Sequence, residues 1–104
     1  DIEKARIGIL RAQSFEKINQ LKLEKEIAQG KIKGNDIEKE RAKLQLASLN
    51  AQLTANEQAQ NSLKGKKGET IGEEQQKLKS EAIEIQTQIA QAQIQENERV
   101  AKLK

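Results

Sequence analysis

The sequence predicts an all-α protein of long helices forming a coiled coil or an antiparallel helical hairpin, with breaks near 30–35 and 64–69. Three observations lead there. Apolar residues recur in alternating steps of four and three along most of the chain, a spacing that keeps side chains on one helical face. The chain contains no proline, and an interior proline costs a helix about 3 kcal/mol. Of 104 residues, 35% are hydrophobic and 34% charged, and Phe15 is the one aromatic. Such a composition suits narrow helix-on-helix seams better than a thick interior, which draws much of its buried area from aromatic rings.

The chain reads as a single elongated helical segment, 1–104, in three units. The first helix is expected over 1–29. Its best seam is Ile7, Arg11, Ser14, Ile18, Leu21, Lys25, Ala28 and Ile32, with Leu10, Leu23 and Ile27 widening the stripe. Arg11 and Lys25 fit if their stems lie on apolar surface and their charges stay outside. Gly30 and Gly34 then signal a stop, and Asn35-Asp36-Ile37-Glu38 a restart with Asn35 and Glu38 as a capping box. Against a break, Ile32 continues the heptad through the glycines.

The second helix is expected over 36–63. One seam holds Ala42, Leu46, Leu49, Leu53, Asn56, Gln60 and Leu63, and an adjacent one holds Ile37, Leu44, Ala47 and Ala51. Two seams make a broad face and imply two neighbours. Asn56 and Gln60 are polar seam residues of the kind that fix register or oligomer state. Lys64-Gly65-Lys66-Lys67-Gly68-Glu69 suits a solvated turn, and Thr70-Ile71-Gly72-Glu73 after it is a second capping box.

The third helix, 70–104, has the cleanest repeat. Ile71, Gln75, Leu78, Ala82, Ile85, Ile89, Ala92, Glu96, Arg99 and Leu103 alternate by four and three, with a second seam of Ile83, Ala90, Ile94 and Ala101. The chain either reverses at 64–69 or runs on as a rod with parallel copies as partners; the pattern serves both. The opening Asp1-Ile2-Glu3-Lys4-Ala5-Arg6 returns as Asp36-Ile37-Glu38-Lys39-Glu40-Arg41, and more loosely as Thr70-Ile71-Gly72-Glu73-Glu74-Gln75. The recurrence is read as three helix starts using similar capping residues.

Nothing in the sequence assembles chemistry, so no catalytic, cofactor-binding or metal-ligating residue is expected. There is no Cys and no His to activate Ser14, Ser48, Ser62, Ser80, Thr54, Thr70 or Thr87. Glu73-Glu74 is a helix-start pair that suits the dipole rather than a metal site. The glycines around Lys66 do not form a phosphate loop, since Gly68 is followed by Glu69. A net charge of +3 is too mild to imply specific nucleic-acid binding, and one ring is no base-stacking platform. No run approaches a transmembrane span. Membrane-surface binding ranks low because acids are mixed with the lysines along each helix. Self-association through the heptad seams is the expected partnership. The chain starts with Asp rather than Met, which fits a fragment or a processed piece.

The Gln- and Lys-rich helical text of Leu44–Leu63 and Leu78–Leu103 resembles segments of phage tail tape-measure proteins. The turn Lys64-Gly65-Lys66-Lys67-Gly68-Glu69-Thr70-Ile71-Gly72-Glu73-Glu74 is similar to text in cyanobacterial phage or prophage members. The resemblance implies a long, non-enzymatic, multi-copy helical protein that sets tail length inside the tail tube. It also implies tail-tube and tail-tip proteins as partners and the virion as location. The family has no residue motif to carry over, and its large hydrophobic segments are missing. The alternatives are the helical hairpin of a bacterial membrane-fusion (periplasmic adaptor) protein, whose flanking β segments are absent here, and a generic coiled-coil scaffold.

Overall fold

The computed structural model describes residues 2–103. It contains α1 (Ile2–Ala28), α2 (Asn35–Leu63) and α3 (Glu69–Lys102), and no strand among the described residues. The expected helix ends at Asp1 and Lys104 lie outside that range. The chain reverses at both breaks. α2 is central, with α1 and α3 packed on it from two sides, in a slab of 53 × 28 × 14 Å. Antiparallel order is fixed for α1 and α2 by contacts of Glu16 with Gln52 and Glu24 with Arg41. It is fixed for α2 and α3 by contacts of Asn56 with Leu78 and Leu63 with Gln75. The rod therefore gives way to a hairpin with a third helix on its flank.

The first reversal is a stop built on glycine. Gly30 has φ 76°, its N–H donates to the Ile27 carbonyl at 3.0 Å, and the Lys31 N–H donates to Glu26 at 3.0 Å. These two bonds around a left-handed glycine form a Schellman motif, which satisfies carbonyls that the helix end leaves open. Ile32 does not carry the seam across.

Both helix restarts occur where expected, but neither uses the expected capping box. Gly34 and Gly68 occupy the N-cap positions, and no side-chain cap bond forms at either. Gly68, at φ 132°, turns the chain sharply, and its carbonyl already accepts the Gly72 N–H at 3.0 Å. Helix α3 thus begins before Thr70, placing that side chain inside the first turn. Asn35 is likewise inside α2 rather than capping it.

The third unit packs along its predicted seam: Leu78, Ala82 and Ala92 are buried, and Ile71, Gln75, Ile85, Ile89, Glu96 and Arg99 are half-buried, leaving only Leu103 exposed. The first seam of α2 meets it, with Leu49, Asn56 and Leu63 buried. The main core lies at the Lys64–Gly68 end, where Ala5, Ile9, Ala55, Ala59, Leu63 and Leu78 cluster with Ala12 and Ile71 packed against them.

The expected seam of the first unit is wrong. Ile7, Ile18 and Leu21 are exposed, and Leu21 keeps 72% of its surface. The buried line is instead Ala5 and Ile9, extended by the half-buried Ile2, Ala12, Glu16, Leu23 and Ile27. It too steps by threes, fours and sevens, and it lies on the opposite side of the helix. Small residues decide the choice. Ala5 of α1 clusters with Ala55 and Ala59 of α2, with Ala12 packed against them, and small side chains at such a contact let two helices approach closely.

Candidate functional site

Several polar side chains in this protein join helices. The sixth residue of each repeated unit makes such a link. Arg6 forms ion pairs with Glu74 and Glu81, seven residues apart on α3, the Glu81 contacts being 3.3 Å. Arg41 grips Glu24 of α1 through two bonds of 3.0 Å. Gln75 donates from Nε2 to the Leu63 carbonyl at 2.9 Å, serving a C-terminal carbonyl of α2. The repeat was expected only to start helices; its sixth position also ties each one to a neighbour.

Asn56, 1% exposed, donates from Nδ2 to the Leu78 carbonyl at 2.9 Å, and its Oδ1 accepts from Gln60. Both of the amide's polar ends are therefore satisfied in a buried seam, as interior polar groups require. The predicted register role has a concrete form: sliding α3 along α2 would strand this amide.

The charges at these contacts follow their partners. Burial disfavours the Arg6 cation, but the hydrogen bonds to Glu81 and Glu74 outweigh that and raise its pKa above the ordinary arginine value. Hydrogen bonds from Arg41 to Glu24, and from Arg99 to Glu96, hold those two carboxyls below the ordinary carboxylate pKa of 4.5. A carboxyl with a depressed folded pKa adds stability above its unfolded pKa and loses it as pH falls through the folded value. The melting temperature is thus expected to fall below about pH 4.5 more steeply in the native chain than in a Glu24→Gln/Glu96→Gln variant. Parallel pH curves for the two would contradict this. The effect is small, because exposed pairs are screened.

The hydroxyls, the paired carboxylates and the tip lysines are not brought together. Ser62 and Thr87 donate to carbonyls one turn back, at Gln58 and Ile83. Ser48 is buried, Ser14, Ser80, Thr54 and Thr70 are exposed, and Glu73 is exposed while Glu74 turns to Arg6. Lys64, Lys66 and Lys67 stand on the exposed tip. No group of three metal-ligating side chains occurs among the described residues. The grooves are open and shallow. One lies between α1 and α2, over Ala12, Phe15, Leu44 and Ala47; another is lined by Gln45, Gln52, Gln88, Gln91 and Gln95 with Glu16.

The largest unassigned features are apolar and outward-facing. α1 exposes Ile7, Leu10, Phe15, Ile18 and Leu21, and α3 exposes Ile83 and Ile94 of its second seam. No helix among the described residues is long and apolar enough to cross a membrane. Comparison with family models, curated proteins and solved structures finds no match to this chain.

Proposed function

We propose that this chain is a non-enzymatic structural segment that works by helix packing, and that it forms part of a phage tail tape measure. The observation that supports a structural role is the use made of its polar residues. Arg6, Arg41, Asn56 and Gln75 each tie one helix to another, and none converges on a cavity. The text of Leu44–Leu63 and Leu78–Leu103 points to the family. Tail-tube and tail-tip proteins would be its partners, other copies would meet the exposed second seam of α3 at Ile83 and Ile94, and the virion would be its location.

Tail length tests the reading. In the phage that encodes the chain, in-frame removal of residues 35–102 takes out the α2–α3 hairpin. If the hairpin lies folded along the tube, tails should shorten by roughly 50 Å, the length of a helix such as α3 at about 1.5 Å per residue. Full-length tails in electron micrographs would count against the proposal. The reversal at Lys64–Gly68 favours a second reading, the adaptor hairpin of a bacterial membrane-fusion protein. Under that reading the same deletion abolishes export and has no tail to alter.

A further inference from the structure

We infer that the outer face of α1 is a docking surface for an anionic lipid membrane. The face carries five large apolar side chains. Ile7, Leu10, Phe15, Ile18 and Leu21 are between 42% and 72% exposed. At 3.6 residues per turn they span an arc of roughly 140°, opposite the line that packs on α2. Within that arc also lie Arg11, Lys22 and Lys25, with Lys17 just beyond its Leu10 edge, all exposed.

The sequence alone ranks this low, because acidic residues alternate with these cations. The fold sorts them. Glu16 turns inward to accept from Gln52 of α2, and Glu24 is held by Arg41 of α2. Two of the four acids of α1 are thus engaged by the neighbouring helix, leaving Glu3 and Glu26 as the acids not tied to it. The exposed half of α1 therefore interleaves apolar side chains with cations and is net positive, a combination that adds electrostatic attraction for anionic lipid to apolar burial at a membrane interface.

Charge complementarity selects the occupant. A second copy would set Arg11, Lys17, Lys22 and Lys25 against the same cations. A partner helix pressed into the seam would bury Arg11 and Lys25 within it, and each would need a partner there. At an anionic lipid surface the same long side chains reach up to the headgroups while their stems cover apolar surface. The breadth of the arc agrees. Leu10 and Phe15 lie on opposite flanks, wider than a two-stranded seam uses and suited to a plane. This surface does not depend on which assembly the chain belongs to.

Vesicle co-sedimentation tests it. The chain is expected to pellet with vesicles of about 30% phosphatidylserine in phosphatidylcholine, and at least about tenfold less with phosphatidylcholine alone. Binding should fall further between about 0.1 and about 0.5 M NaCl as screening grows. Ile18→Asp and the double variant Lys17→Glu/Lys22→Glu should each lose about tenfold with helicity unchanged by circular dichroism. Ile94→Asp, on the exposed seam of α3, should bind as the native chain does. Failure to bind anionic vesicles overturns the inference. So does equal binding to neutral ones, or an equal loss from Ile94→Asp. If sedimentation without lipid shows a dimer that Ile18→Asp dissociates, the face belongs to a second copy and the inference is wrong.

Discussion

Leu78→Ala is expected to remove a large part of the protein's stability. Leu78 and Leu63 each retain 0% of their surface and are the largest apolar side chains buried so fully. They stand on facing helices in the cluster that also holds Ala5, Ile9, Ala55 and Ala59, so all three helices meet there. Removing a buried leucine side chain costs about 2–5 kcal/mol, more where the surroundings cannot collapse into the gap. Here they are poorly placed to do so, because the neighbours are mostly alanines on rigid helices. The core is thin: among the described residues, five of the nine buried hydrophobic side chains are alanine. Domains of this size hold only about 5–15 kcal/mol in total, so the loss is a large fraction of the reserve. Urea unfolding followed by circular dichroism checks it. Leu21→Ala is the control, since Leu21 keeps 72% of its surface and its truncation should move stability by no more than about 0.5 kcal/mol. Equal midpoints for the two variants would show that the core has been misplaced.

That pair of leucines also marks what the sequence could and could not reveal. The helices and both breaks were legible, because glycine stops and four-three spacing act locally. The seam of α3 was legible almost to its last residue, because it holds Ile71, Leu78, Ile85 and Ile89, while the second stripe offers only Ile83 and Ile94 as large side chains. α1 offered two stripes of similar spacing on opposite sides. The richer one, with Ile7, Ile18 and Leu21, attracted the reading, whereas the helix buries the one containing Ala5, Ala12 and Glu16. Hydrophobicity ranks side chains by size, but a close helix contact selects small ones, and that preference appears only when Ala55 and Ala59 are known to lie opposite. The capping boxes misled for a related reason. Thr70 and Asn35 have the right chemistry, but the preceding glycines at positive φ start each helix earlier than the side chains could. The Arg6 contacts with Glu74 and Glu81 join residues far apart in the chain, so they emerge only after two reversals. The repeat did contain a signal for them, in the sixth position shared by Arg6, Arg41 and Gln75. The basic outer face of α1 was hidden in the same way, since only the fold shows which acids turn inward.

Asn56→Asp is expected to destabilise the protein about as severely as the leucine truncation, and to do so in a pH-dependent way. The substitution keeps shape and volume almost unchanged. It replaces the Nδ2 donor, 2.9 Å from the Leu78 carbonyl, with an oxygen facing another oxygen at a site 1% exposed. At neutral pH the new carboxylate would lose hydration and be repelled by that carbonyl, with only the Gln60 amide left to help it. Breaking a buried polar pair so that a charge stays uncompensated costs about 3–5 kcal/mol. Protonation relieves much of this, because a neutral acid can donate to the Leu78 carbonyl as the amide did. The folded pKa of the introduced acid therefore lies above its unfolded value of about 3.9. A raised folded pKa means stability is greatest below the unfolded value and is lost as pH rises through the folded one. The variant should accordingly gain stability as pH is lowered from 7 towards about 4, with each unit of pKa elevation worth about 1.4 kcal/mol. Asn56→Leu separates this from a simple need for polarity. It leaves the Leu78 carbonyl its bond within α3, adds apolar burial, and should hold stability within about 1.5 kcal/mol of the native chain. Its cost should fall on uniqueness instead, since α2 and α3 lose the side-chain bond that forbids a slip. Urea midpoints of the three proteins at pH 7 and pH 4 decide the matter: an Asn56→Asp midpoint that stays level or falls on acidification would remove Asn56 as the determinant of register.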